Sequence, residues 1–208
     1  MADQLLQARG IARYPWLNKP DTKFDAAGKF KVDLEITAEA AAELLPTLEA
    51  LRDQAKADFQ KSAKGKKAKD ADLPLFPQTD SEGEETGNYI LRVGMKASGV
   101  SQKTGKAWNR SVPIFDAKGR PANPQIFGGS ELIVSFKAQG WKNPKGECGA
   151  TCYLEGVQVI KLATGGGGRD ASGLGFKAQE GYSAEDDEVT NDADLEDAGG
   201  EEGGYDFE

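Results

Sequence analysis

The chain has 208 residues, 38% of them apolar, a formal net charge of −8 and no histidine. No run of about 18 apolar residues occurs, which excludes a membrane-spanning helix, and the missing histidine removes the commonest general base and metal ligand. The charge is unevenly spread: residues 180–208 hold 13 of the 34 acids and none of the 26 Lys and Arg, which leaves a mildly basic body and an acidic arm.

The opening MADQLLQARG has neither the basic nor the apolar region of a secretory signal, so a cytosolic protein is expected. Arg9 to Leu17 reads as a strand ending near Pro15-Trp16, with a turn at Asn18-Lys19-Pro20-Asp21. A second turn, Asp25-Ala26-Ala27-Gly28, precedes strict alternation. Phe30, Val32, Leu34 and Ile36 form one face, and Lys29, Lys31, Asp33 and Glu35 the other. That is the pattern of a half-buried strand.

Thr37 then fits a helix N-cap, and Leu44, Leu48, Leu51, Ala55 and Phe59 recur on one stripe of a helix. Pro46 interrupts it and predicts either a kink or two helices. Lys61 to Lys69 holds five lysines in nine residues and reads as a solvated loop or a frayed helix end. Asp80 to Gly87 reads as an acidic exposed loop.

Strands dominate the rest of the body. Tyr89, Leu91, Val93 and Met95 alternate with Ile90, Arg92, Gly94 and Lys96, so Arg92 and Lys96 share the outward face. Further strands are expected over Ala107–Phe115, from Leu132 to Trp141, and over Thr151–Leu162 with a bulge at Gly156. Turns at Ser101–Gly105, Asp116–Pro121 and Lys142–Gly146 separate them. Gly165–Gly168 ends the fold, and Asp170–Gln179 is a linker or a last ordered piece.

Five or six antiparallel strands with one interposed helix fit an OB-type barrel, with another β-barrel or a sandwich as the alternative. The expected organisation is a folded domain over 1–163, a Gly-rich linker over 164–179 and a disordered acidic tail over 180–208, whose composition cannot offset the entropy of ordering.

Little here points to catalysis. The acids of the body fall on turns, helix surfaces and strand faces shared with lysine, and no Walker-type glycine loop is present. Cys148 and Cys152 form a C-x3-C pair with no further Cys or His to complete a zinc site. They read as buried thiols, with a redox role as the alternative. No catalytic residue, metal site or cofactor is expected.

Binding has more support. Single-stranded nucleic acid is held by a basic groove lined with aromatic rings on which bases stack. Aromatic residues sit beside basic ones in Arg13-Tyr14-Pro15-Trp16, in Lys106-Ala107-Trp108-Asn109-Arg110 and in Lys137 with Trp141-Lys142. The stacking candidates are Trp108, Trp141, Trp16 and Tyr14, each of which has core packing as its alternative. The phosphate candidates are Arg13, Arg92, Lys96, Lys106, Arg110, Lys137 and Lys142. At the end of the tail, Tyr205, Asp206, Phe207 and Glu208 put two aromatics among acids, which suits docking into a basic-rimmed pocket; a purely solubilising tail is the alternative.

This arrangement resembles the phage family of single-stranded DNA-binding proteins, through Gly10-Ile11-Ala12-Arg13-Tyr14-Pro15, Phe127-Gly128-Gly129-Ser130, Gly140-Trp141-Lys142, Gly156-Val157-Gln158 and the acidic, aromatic-ended tail. The resemblance implies a protein of the host-cell cytoplasm that coats single-stranded DNA without sequence preference during replication, recombination and repair. It further implies a tail that contacts the replicative DNA polymerase and helicase-primase and competes for the DNA groove, and often a homodimer. One departure stands out: the family typically ends on Phe, whereas Glu208 follows Phe207 here. The readings from other classes are an acidic-armed scaffold or nucleic-acid mimic, and a metal-dependent nuclease.

Overall fold

In the computed structural model, residues 5–62 and 67–163 are described. The elements are β1 (Leu5–Asp21), β2 (Lys29–Ile36), α1 (Ala38–Ser62), β3 (Lys69–Asp70), β4 (Leu75–Thr79), β5 (Glu85–Lys96), β6 (Ser98–Val100), β7 (Ala107–Asn109), β8 (Ile114–Phe115), β9 (Glu131–Lys142) and β10 (Glu147–Lys161). The linker over 164–179, the tail over 180–208 with Tyr205, Asp206, Phe207 and Glu208, and Lys64 and Lys66 of the lysine run lie outside the described residues. Among the described residues, no helix is long and apolar enough to cross a membrane.

Five strands close on themselves. β1 pairs antiparallel with β2 and β9, β2 with β5, and β9 with β10, while a short parallel contact of Cys152 and Tyr153 with Val93 and Gly94 joins β10 to β5. Closure pairs each of the five strands on both sides, leaving the short β3 and β4 as edges, and the connectivity is that of an OB fold. The expected barrel is therefore present, and the sandwich is not.

Alternation decides what fills it. Phe30, Val32, Leu34 and Ile36 of β2, Leu91, Val93 and Met95 of β5, and Leu132, Val134 and Phe136 of β9 are all buried. Each large side chain so buried contributes about 1.5–3 kcal/mol. Helix α1 covers the lower part of β9 and β10 with Ala41, Leu44, Leu48, Ala55 and Phe59. Gly140 of β9 makes this possible: a Cβ there would lie 2.4 Å from the Leu51 carbonyl oxygen. Thr37 caps the helix as expected, with its Oγ1 accepting from the N–H of Ala40 at 3.3 Å.

Several elements differ from the sequence reading. One helix runs through Pro46, so the division into two helices does not occur. Strand β1 continues to Asp21 instead of turning after Leu17, because register breaks between Arg13 and Trp16 and between Trp16 and Asp21 absorb Pro15 and Pro20. The edge strand β4 was not anticipated. Its Pro77 has no N–H to donate, which an edge tolerates. The strand expected over 107–115 is two short pieces: β7 folds back on β6, and after Pro113 the chain joins β10 as β8. The bulge at Gly156 is present, as a register shift between Leu154 and Gly156.

Candidate nucleic-acid interface

Because partners directly opposite across β1, β2 and β5 point the same way, the outer face of these strands is a ladder of rows. The first row is Ile11, Glu35 and Ile90, continued by Phe76 on β4. The second is Arg13, Asp33 and Arg92, the third Trp16, Lys31 and Gly94, and the fourth Asp21, Lys29 and Lys96. Five cations thus gather on one side of the barrel with three carboxylates.

Most of these charges are tied to one another. Arg13 donates from Nε and Nη2 to Glu35 Oε2 at 2.8 and 2.5 Å, and Asn88 donates to the other Glu35 oxygen at 2.9 Å. Arg92 donates from Nε and Nη2 to the two Asp33 oxygens at 3.0 and 3.2 Å and lies 5.2 Å from the centre of the Phe76 ring. Lys31 donates to Asp21 at 2.6 Å. That bond, followed by the Lys23 backbone N–H, holds the Asp21 carboxyl below its ordinary value.

Tyr14 stands at the centre. Its φ of +47° is the only positive value among the described non-glycine residues, and it falls in the register break after Arg13. A left-handed backbone is costly for a bulky side chain and clusters at functional sites. The ring is 79% exposed. It separates two clefts that share Tyr14, Asp33 and Arg92. One, of about 290 Å³, runs towards Phe76, Pro77 and Ile90. The other, of about 400 Å³, runs towards Lys29 and Lys31. A cleft that offers the Phe76 ring beside one that offers the Lys29 and Lys31 ammonium groups, with an exposed ring between them, can take a base on one side and a phosphate on the other.

The β6–β7 hairpin adjoins the fourth row. The Ala97 N–H donates to Gly28 at 2.9 Å, and the Arg110 N–H to Ala97 at 2.7 Å, which fixes the hairpin beside the β1–β2 turn. Trp108 lies across Gly99, its cross-strand partner, and the Arg110 guanidinium sits 4.6 Å from its ring centre. Lys106 is exposed at the hairpin turn. In the β1–β2 turn, Phe24 is 87% exposed, with the Lys23 ammonium 5.3 Å from its ring centre.

The structure therefore brings Arg13, Tyr14, Trp16, Arg92 and Lys96 onto one face and sets Lys106, Trp108 and Arg110 at its end. Trp141, Lys142 and Lys137 lie elsewhere. β1 and β9 are paired from Leu5–Lys137 to Ile11–Glu131, with the ladder beyond the second end and Trp141 beyond the first. Trp141 lies across Gly149 and donates from Nε1 to the Ala150 carbonyl at 3.3 Å. Lys142 donates to the Asp58 carbonyl at 2.8 Å near the end of α1, where a cation suits the helix dipole. Lys137 is 3.9 Å from Glu155.

Lys29, Lys31, Phe76 and Phe24 were missed by the sequence reading. The first two were legible as the outward half of the β2 alternation. Phe76 had no such signal, since its strand carries proline.

No family model matches the chain. Its sequence is 26% identical to the single-stranded DNA-binding protein of Enterobacteria phage T3 over 201 residues, covering 86% of this chain and 84% of that one. Its fold matches the crystal structure of gp2.5, a single-stranded DNA-binding protein encoded by bacteriophage T7, with a TM-score of 0.68 and 26% identity. That match covers 88% of this chain and all of the other. The fold is also that of the single-stranded DNA-binding protein from bacteriophage Enc34, solved in complex with single-stranded DNA, with a TM-score of 0.53 and 14% identity over 78% and 89% of the two chains. The resemblance seen in the sequence is borne out.

Proposed function

As a relative of the phage single-stranded DNA-binding proteins, this chain, we propose, binds single-stranded DNA independently of sequence and serves phage DNA replication, recombination and repair. The observation that carries the reading is the ladder on β1, β2 and β5, where Tyr14, Trp16 and Phe76 stand among Arg13, Lys29, Lys31, Arg92 and Lys96. Stacking on such rings contributes about 1–3 kcal/mol per base and does not depend on base identity. Cations on a phosphate backbone add counterion release, which makes affinity fall with salt.

Within this reading the body over 1–163 binds DNA, the linker over 164–179 gives reach, and the tail over 180–208 regulates access to the groove. The terminal Tyr205-Asp206-Phe207-Glu208 recruits a replicative polymerase and helicase-primase, and two copies form a homodimer. The test is a gel shift with labelled oligo-dT, with and without magnesium, on the full chain and on a chain ending at residue 179. The full chain retards the oligonucleotide without degrading it, and the shortened one binds more tightly. Absence of binding by both chains refutes the reading in favour of an acidic-armed scaffold, and magnesium-dependent degradation favours a nuclease. Unchanged or weaker binding by the shortened chain refutes the role of the tail alone.

A further inference from the structure

Among the described residues, three of the five cations on the ladder have a carboxylate. Arg13 is held by Glu35, Arg92 by Asp33 and Lys31 by Asp21. The remaining two, Lys29 and Lys96, are directly opposite one another in the β2–β5 register. Asp21 faces Lys29 from the β1 side, but its carboxylate is taken by Lys31 and by the N–H of Lys23. Like charges directly opposed on neighbouring strands do not stabilise one another, so neither lysine gains from the other in the fold.

Gly94 shapes the same spot. A Cβ at Gly94 would lie 2.8 Å from Lys29 Cε and 3.3 Å from Lys31 Cβ. The Lys29 side chain therefore lies over the bare backbone of β5, along the cleft of about 400 Å³ that it lines with Tyr14, Lys31, Asp33 and Arg92. An anion held by Lys29 in this cleft, with Lys96 opposite Lys29 in the register at its border, would leave all three ion pairs unbroken.

We infer that Lys29 and Lys96 form the phosphodiester subsite of this face, with Gly94 as its floor, and that Arg13 and Arg92 act on the base side as positioning residues. Arg92 then stays over Phe76, braced by Asp33, and Arg13 stays braced by Glu35. The inference rests on the proposed binding of single-stranded DNA and assigns the charge contacts within it.

The salt dependence of oligo-dT binding by the full chain separates the two claims. Each phosphate contact contributes about 0.7 to the slope of log K against log salt for a single strand. The double variant Lys29→Gln/Lys96→Gln is expected to flatten the slope by about 1.4, with the melting temperature unchanged or raised. Lys29→Arg/Lys96→Arg should keep the slope. A control that removes two charges elsewhere, Lys61→Gln/Lys118→Gln, should also keep it. An unflattened slope in the first variant, an equal flattening in the control, or a lowered melting temperature in the first variant overturns the subsite. If the unaltered chain fails to bind oligo-dT at all, the functional reading falls instead.

Discussion

Asp33 and Arg92 face each other across β2 and β5, with Nε and Nη2 of the guanidinium each donating to one carboxylate oxygen and the Phe76 ring under the cation. The pair is braced in a fork geometry that lysine cannot reproduce. It also keeps a negative charge in the middle of a face proposed to meet phosphates. Asp33→Asn should therefore tighten oligo-dT binding about 2- to 10-fold at low ionic strength, with the gain shrinking as salt rises because exposed charges are screened. A fluorescence titration at two salt concentrations measures this, and weaker binding at both would contradict it.

Tyr14 allows fold and function to be separated at one position. Its φ of +47° suits glycine, so Tyr14→Gly removes strain along with the exposed ring. Thermal unfolding should be unchanged or slightly later, within about 1 kcal/mol of extra stability. Binding should weaken by about 5- to 150-fold, the equivalent of one stacked base. Loss of stability together with binding would show that the ring is packing material.

How much of this was legible in the sequence depended on period. The β2 alternation and the α1 stripe are regular, and both elements appear where their apolar residues place them. The long β1 was not readable to its end, because Pro15 and Pro20 look like terminators unless the register breaks that accommodate them are known. Trp108 and Trp141 carried the strongest aromatic signal, yet each lies over a glycine directly across a hairpin, Gly99 and Gly149. That relationship depends on pairing register, which composition around a tryptophan does not reveal. Lys29 and Lys31 were visible as an outward face, but only the β1 and β5 partners show that this face joins Tyr14 and Arg92.

Gly140 is where α1 meets the barrel most closely. Gly140→Ala would put a methyl group 2.4 Å from the Leu51 carbonyl oxygen, and backbone on both sides leaves no flexible side chain to yield. Helix and strand must separate, at a cost of about 1–3 kcal/mol. For a chain of this size that lowers the melting temperature by roughly 2–4 °C per kcal/mol. Oligo-dT affinity well below the melting transition should be unaffected, since the ladder lies at the other end of β1. An unchanged melting temperature would mean that the helix rides further from β9.

Cys148 and Cys152 are both free and buried, on a stretch of β10 whose pairing with β9 is regular from Cys148–Lys142 to Cys152–Ala138. Four residues along a strand span about 13 Å, beyond the roughly 7 Å limit for a disulfide, so the C-x3-C spacing makes no internal bridge. Burial alone pushes the Cys152 thiol up from 9.0 to about 12. Its protonated form is the one the fold accepts, so its contribution is intact below pH 9 and is lost as pH rises from there towards 12. The stability of the unaltered chain should decline across that window more steeply than that of Cys152→Ala, by an amount on the order of 1–4 kcal/mol. Comparing urea midpoints at pH 8 and pH 10.5 isolates this term, because the tyrosines and lysines common to both chains cancel. Parallel declines would remove Cys152 from the account. Under native conditions at pH 8 neither thiol should react with a thiol reagent, and both should react in urea.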